Sequence, residues 1–364
     1  MAIPHTEAYR NPEISRKIAA QIRNISRKKV RLMEVCGTHT MSIFRSGIRT
    51  LLPDTISLIS GPGCPVCVTS QSEIDAFIAL SGKKDVITAT FGDLMRVPGS
   101  NSSLQKERAD GKDIRMVYSV FDALEIAKKN PDKKIVFPGV GFETTAPTIA
   151  ASVISARDMN IENYFVFSAH KLVPPALFAL TDMKNTHIGG FLLPGHVSVI
   201  IGMKAYLPFF EKCRIPCVAA GFEPADILQG ILMLISQIES ENPKLENAYS
   251  RAVSFEGNEK AKKIMAEVFE PADALWRGLG IIPESGLKIR EEFAGFDAEK
   301  AFEIGNLKSE ADEPGGCACG EILTGLKSPR DCPLYKKICT PVNPVGPCMV
   351  SGEGTCAAYY RYDG

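Results

Sequence analysis

Apolar residues recur along this chain with two periods, and the alternation between them predicts its architecture. Ile14, Ile18, Ile22 and Ile25 fall at helical spacing within 11–27, and Pro12 suits a first turn, so the chain opens on an amphipathic helix. A strand pattern over 30–35 follows and stops at Cys36-Gly37-Thr38-His39, after which 40–52 returns to helical spacing with Ile43, Phe44 and Ile48 inward. The order strand, short polar loop, helix then repeats. Residues 56–60 end at Gly61-Pro62-Gly63-Cys64-Pro65-Val66-Cys67, residues 85–90 end at Phe91-Gly92-Asp93, and 114–119 lead into a helix over 121–129. Ser70 followed by Glu73 predicts a capping box that opens a helix over 71–81. Such alternation predicts an α/β fold with a parallel sheet, whose binding crevice lies at the carboxyl ends of the strands. The loops holding Cys36, His39, Cys64 and Cys67 are therefore expected on the same edge of one sheet.

A second set of units follows the first. Strand patterns at 134–137, 164–167, 188–193 and 216–219 precede Gly141-Phe142-Glu143-Thr144-Thr145, Ser168-Ala169-His170, Pro194-Gly195-His196 and Gly221-Phe222-Glu223. The Gly- and Ser-containing connection 96–112 reads equally as a lid or as plain loop. Beyond Pro224 strand patterns fade: 225–239 and 259–269 have helical spacing, and Trp276 with Leu275 and Leu279 is expected to anchor a helical layer. The expected organisation is two Rossmann-like parallel-sheet domains, 30–130 and 131–223, facing a cleft. A third, mostly helical and irregular domain is expected from 1–29 together with 224–364.

Charge narrows the function. Forty-two acidic residues balance forty-two basic ones, which supplies no global field for nucleic acid or an anionic membrane. The amino terminus lacks a basic-then-apolar signal, and the most apolar stretch, 227–235, is interrupted by Gln229 and Gly230, so a cytoplasmic protein is expected. In a reducing compartment, eleven cysteines point to metal or redox chemistry rather than structural disulfides.

Six of those cysteines, Cys317, Cys319, Cys332, Cys339, Cys348 and Cys356, fall in the Pro- and Gly-rich stretch 315–364, where a metal centre is the expected organiser. Paired CxxC knuckles would mark zinc. The wide gaps C-x14-C-x6-C-x16-C through Cys317, Cys332, Cys339 and Cys356 favour a cubane iron–sulfur cluster instead, with zinc as the other reading. Cys64 and Cys67 can chelate one soft metal or close a small disulfide, in a turn stiffened by Pro62 and Pro65. Cys36 and His39 have the spacing either of two contacts to one metal or of a nucleophilic pair. His170 and His196 each end a strand pattern and either line the crevice or bond to backbone. Glu143 and Glu223 are read as helix caps as readily as functional acids, and Cys213 and Cys217 as small buried hydrophobes.

Glu34-Val35-Cys36-Gly37-Thr38-His39, the Gly61–Cys67 turn, Gly141-Phe142-Glu143-Thr144-Thr145 and the terminal cysteine spacing together closely resemble the HypD family of nickel–iron hydrogenase maturation scaffolds. Thr90-Phe91-Gly92-Asp93, Leu193-Pro194-Gly195-His196 and Thr340-Pro341 extend the resemblance over nearly the whole chain. One departure is Ser70, where the family usually carries proline. The resemblance implies assembly of an Fe(CN)2CO unit together with a HypC-type chaperone, with cyanide from a HypE/HypF-type system and HypE as the immediate donor. It implies that Cys36 holds the iron, that His39, Cys64, Cys67 and Glu143 work beside it, with Cys64 and Cys67 also open to the metal, and that a [4Fe-4S] cluster sits on Cys317, Cys332, Cys339 and Cys356. Cys319 competes with Cys317 for the first cluster position. The rival reading is a freestanding iron–sulfur thiol–disulfide oxidoreductase, which has no need of Cys36-Gly37-Thr38-His39.

Overall fold

The computed structural model describes residues 9–304 and 315–363; residues 1–8 and 305–314 of the expected third domain lie outside them, as does Gly364. Eleven strands are found among the described residues: β1 (Val30–Glu34), β2 (Ile56–Ser60), β3 (Val86–Thr90), β4 (Ile114–Met116), β5 (Lys134–Gly139), β6 (Tyr164–Ser168), β7 (Gly190–Pro194), β8 (Cys217–Ala220), β9 (Leu245–Asn247), β10 (Phe269–Trp276) and β11 (Gly280–Ile289). They form a five-stranded sheet in the order β2-β1-β7-β8-β9, a four-stranded sheet in the order β4-β3-β5-β6, and a β10-β11 hairpin. Every pairing in the two larger sheets is parallel. The fold is therefore α/β with parallel sheets, as the alternating pattern predicts.

Strand membership cuts across the expected blocks 30–130 and 131–223. Each block sends strands to both sheets: β1 and β2 pair, β3 to β6 build the second sheet, and the chain then returns so that β7 lies beside β1, with Leu32 opposite Gly190. Short βα units are locally alike, so nothing in their periodicity names the sheet they join. The opening helix, Pro12–Ile25, and the helix Pro224–Glu239 share one core with the five-stranded sheet through Ala19, Ile22, Leu32, Leu192, Val218 and Ile231.

Two local expectations are corrected. The helix expected over 40–52 starts earlier and is broken into Gly37–Arg45 and Ile48–Leu51, because Gly47 between them takes a left-handed conformation at φ 66°. The helical layer expected around Trp276 is the antiparallel hairpin instead. Trp276 ends β10, its indole N–H donates to Ser285 Oγ at 2.8 Å, and Leu275 faces outward. The connection 96–112 contains a helix, Leu104–Ala109, capped by Ser103.

Candidate functional site: a thiol centre and a cysteine cage

Cys36 follows β1 and caps the helix Gly37–Arg45; Cys64 follows β2 and opens the short helix Pro65–Val68 that carries Cys67. Because β1 and β2 are parallel neighbours, both thiol turns leave the same edge of one sheet. Gly63 lets them touch: a Cβ there would lie 2.1 Å from the Cys36 nitrogen, and Gly37 N–H donates to Gly63 O at 2.9 Å. Cys64 and Cys67 are joined as a disulfide with Cα atoms 5.2 Å apart, so in this state their sulfurs engage each other. The Ser70 and Glu73 capping box forms as expected and starts the helix Gln71–Ser81.

Cys36 is buried, and burial, reinforced by the Glu353 carboxylate, pushes its thiol up to about 12. Its Sγ lies 3.8 Å from His196 Nδ1, at the start of the helix that follows β7. His39 is fully buried and donates from Nε2 to Gly221 O at 2.9 Å, which leaves Nδ1 as a bare acceptor with no partner among the described residues. Burial lowers both imidazoles to about 4, so both are neutral. Phe222 lies against each ring, with centroids 4.9 Å from His39 and 5.1 Å from His196. His196 thus joins the centre. His170 does not; its Nδ1 pairs with Ser168 Oγ at 2.9 Å and its ring lies against Phe269.

Glu143 is buried on the loop after β5. Its Oε1 accepts the Val173 N–H at 2.9 Å, at the start of the helix Val173–Asp182, and its Oε2 has no hydrogen-bond partner among the described residues. Burial raises it to about 7. No hydrogen bond joins it to Cys36, His39, Cys64 or Cys67 among the described residues. Cys217 is a buried residue of β8, as a small hydrophobe would be, and Cys213 is half-buried.

All six terminal cysteines line one tight pocket, with Ile322, Tyr335, Gly346 and Met349. Cys319 and Cys348 are in direct contact, with Sγ atoms 2.9 Å apart. Cys319 also takes a hydrogen bond from Cys317; these two contacts, with Arg277 nearby, hold its thiol well below the usual range. Cys339 Sγ accepts the Val345 N–H at 3.4 Å. Gly346 is a close approach, since a Cβ there would lie 2.9 Å from Cys317 Sγ. Among the described residues no three His, Cys, Asp or Glu side chains stand in the arrangement of a single-ion site.

The pocket and the thiol centre adjoin. Glu353, between Cys348 and Cys356, accepts from Thr38 Oγ1 and packs on Gly37, where a Cβ would lie 2.5 Å from its own. The helix Pro347–Val350 lies against Pro65–Val68, and Phe44 packs on Tyr359 of the last helix. Glu34, two residues before Cys36, is a buried carboxyl raised to about 7 by burial while accepting from Ser60 and Thr40. Sequence reading missed Glu34 and Glu353. An acid at the end of β1, two residues before the cysteine, marks the first; an isolated acid in a Gly-rich stretch carries no signal for the second. Among the described residues no helix is long and apolar enough to cross a membrane.

The profile of the family described as "HypD: Hydrogenase formation hypA family" matches residues 13–363. A putative hydrogenase expression/formation protein of Methanocaldococcus jannaschii is 47% identical over 334 residues, covering 92% of each chain. The hydrogenase maturation factor HypD2 of Bradyrhizobium diazoefficiens is 46% identical over 98% of this chain and 96% of its own. HypD of Cupriavidus necator is 44% identical over 98% and 97%.

Proposed function

This chain belongs to the HypD family of hydrogenase-formation proteins, and from that premise we propose that it assembles the Fe(CN)2CO unit of nickel–iron hydrogenases on Cys36. In this reading it works with a HypC-type chaperone that shares the iron and a HypE-type donor that supplies cyanide. The observation that carries the reading is the contact of Gly63 with the Cys36 backbone, which holds a free buried thiol beside the disulfide-bonded Cys64–Cys67 pair at one sheet edge.

The chain's own residues do the following. Cys36 keeps its proton at neutral pH because burial disfavours the thiolate, so binding of the iron substrate must expel that proton. His196 Nδ1, 3.8 Å away, is the acceptor at hand and is itself neutral. His39, fixed by its bond to Gly221 O, offers its bare Nδ1 on the same helix turn and orients the Cys36 loop. Thiolate sulfur is the soft, electron-rich ligand that low-spin iron carrying cyanide and carbonyl groups requires. Cys64 and Cys67 can exchange between disulfide and dithiol without movement of β1 or β2, and the dithiol form is the one open to metal.

The terminal pocket fits a [4Fe-4S] cluster. Six buried or half-buried sulfurs converge there, Cys317, Cys332, Cys339 and Cys356 are the proposed ligands with Cys319 competing with Cys317 for the first position, and Gly346 keeps the space beside Cys317 clear of a side chain. Bound there, the cluster supplies one-electron transfer.

The test is infrared spectroscopy of anaerobically purified protein together with its chaperone. Cyanide and carbonyl bands are expected from the native chain and are expected to vanish in Cys36→Ser, while the visible cluster absorption remains. Full bands in Cys36→Ser would overturn the anchor role. The Cys64–Cys67 disulfide favours a second reading, a freestanding thiol–disulfide oxidoreductase, for which the native complex shows neither band yet reduces a disulfide substrate.

A further inference from the structure

Arg277 is a buried cation with no acid to balance it among the described residues. It follows Trp276 at the tip of the β10-β11 hairpin, is 3% exposed, and pairs with no carboxylate among the described residues. Its contacts instead tie it to the dithiol turn. The backbone N–H donates to Val68 O at 2.9 Å, Nε donates to Thr69 O at 3.2 Å, and Nη2 donates to Gln71 Oε1 at 3.2 Å. Nη1 is buried and has no hydrogen-bond partner among the described residues. On its other side the hairpin tip is pressed onto the cysteine cage. Gly278 sits at φ 78°, and a Cβ there would come within 2.4 Å of Gly320 Cα, the residue that follows Cys319 in the cage.

A guanidinium stays charged at any ordinary pH, and an unpaired buried charge is costly enough that structures supply a counter-ion. The neutral carbonyl and amide groups around Arg277 do not provide one. Four thiolates around a cubane do, because that assembly carries net negative charge in both its oxidised and reduced forms. We propose that Arg277 is the counter-charge of the terminal cysteine cage, placed between the cage and the Cys64–Cys67 turn so that it favours the reduced cluster. This rests on the cluster reading above. Reduction adds one electron and one negative charge to the cage, so a fixed positive charge beside it raises the reduction potential. The same side chain, held by Thr69 O and Gln71 Oε1, keeps the cage and the dithiol turn in register.

The experiment is a dithionite titration of the full-length anaerobic protein, followed by electron paramagnetic resonance and visible absorption, for the native chain, Arg277→Lys and Arg277→Gln. Iron, sulfide and far-ultraviolet circular dichroism are measured on each. Loss of charge in Arg277→Gln is expected to cut the reduced-to-oxidised ratio at fixed potential about tenfold, a midpoint about 59 mV lower. Arg277→Lys keeps the charge and loses the fork of hydrogen bonds, and is expected to stay near the native midpoint. If both variants shift equally, the hydrogen bonds matter and the charge does not, which overturns the proposal. An unchanged midpoint in a fully loaded Arg277→Gln overturns it as well. If Arg277→Gln fails to fold, Arg277→Lys decides alone: a midpoint shift as large as about 59 mV, with charge retained, counts against the proposal. A native chain that binds iron and sulfide in none of these preparations removes the cluster reading itself, a different failure from an unshifted midpoint.

Discussion

The two cysteine centres of this chain lie against each other, yet they are held in different ways. Around Cys36, Cys64 and Cys67 the backbone is fixed by parallel strands; the sulfurs sit where β1 and β2 end, and Gly63 locks one turn on the other. Around Cys317 to Cys356 there is no sheet. Short helices, a 3-10 turn and an isolated bridge from Tyr335 to Cys339 surround a pocket lined mainly by sulfur. A centre on a sheet edge is positioned by the backbone alone, whereas the loop-borne cage, if it holds the proposed cluster, draws its order from what it binds.

The sharpest way to break this comparison is to remove one cage sulfur. Cys339→Ala is expected to abolish iron and sulfide content and to accelerate proteolysis within 315–363 by tenfold or more, while 9–304 stays resistant, because structural metal contributes on the order of 10 kcal/mol to small metal-organised units. A tail equally resistant in the variant would mean that its packing stands without the cluster.

Away from both centres, the buried acid on the loop after β5 should make stability depend on pH. Glu143 is raised from 4.5 to about 7 by burial, so the folded chain holds a proton that the unfolded chain releases. Its contribution to stability is complete below about pH 4.5 and is lost as pH rises through about 7, on the order of 3 kcal/mol in all. Glu143→Gln, which can still accept the Val173 N–H, should flatten that loss when urea midpoints at pH 5 and pH 8 are compared. An unaltered slope would remove Glu143 from the account.

Gly63→Ala is expected to cost about 1–3 kcal/mol, since the added methyl meets the Cys36 backbone, and to lower the melting temperature without changing cluster content. If cluster content fell with it, the two centres would not be built independently. The smallest effect is expected at their seam. Glu353→Ala removes the bond from Thr38 and should cost about 1 kcal/mol, read by thermal melting, with faster alkylation of Cys36 as the carboxylate that disfavours its thiolate goes. Unchanged alkylation would show that Glu353 does not act on the thiol.

The thiol centre was legible in the sequence because its cues are local. A β-branched run followed by a glycine-flanked cysteine turn and a capped helix states where a sulfur leaves a strand, and β2 and the Gln71–Ser81 helix fall where those cues put them. Sheet membership depends on partners distant in the chain, so β1 and β7 could not be matched from periodicity. The hairpin was hidden for another reason. Ala272, Ala274, Leu275 and Glu270 favour helix, and Pro271 and Pro283 read as breakers. Arg277 escaped notice because its meaning lies in the absent acid, which only packing reveals.

The detour of the chain through β3 to β6 before β7 returns to β1 sets an order of events at the ribosome. β1 and β2 emerge early and hold only one edge of a parallel sheet, and parallel pairing between distant segments is slow to form. The four strands made next lie close in sequence to one another and form a complete sheet among themselves. Cys36 therefore waits, with its strand open on one side, through the synthesis of that whole intervening sheet, and His196 arrives with β7 at the moment the gap closes. The thiol that ends free and buried in the finished protein is thus left waiting on the nascent chain until the sheet closes over it.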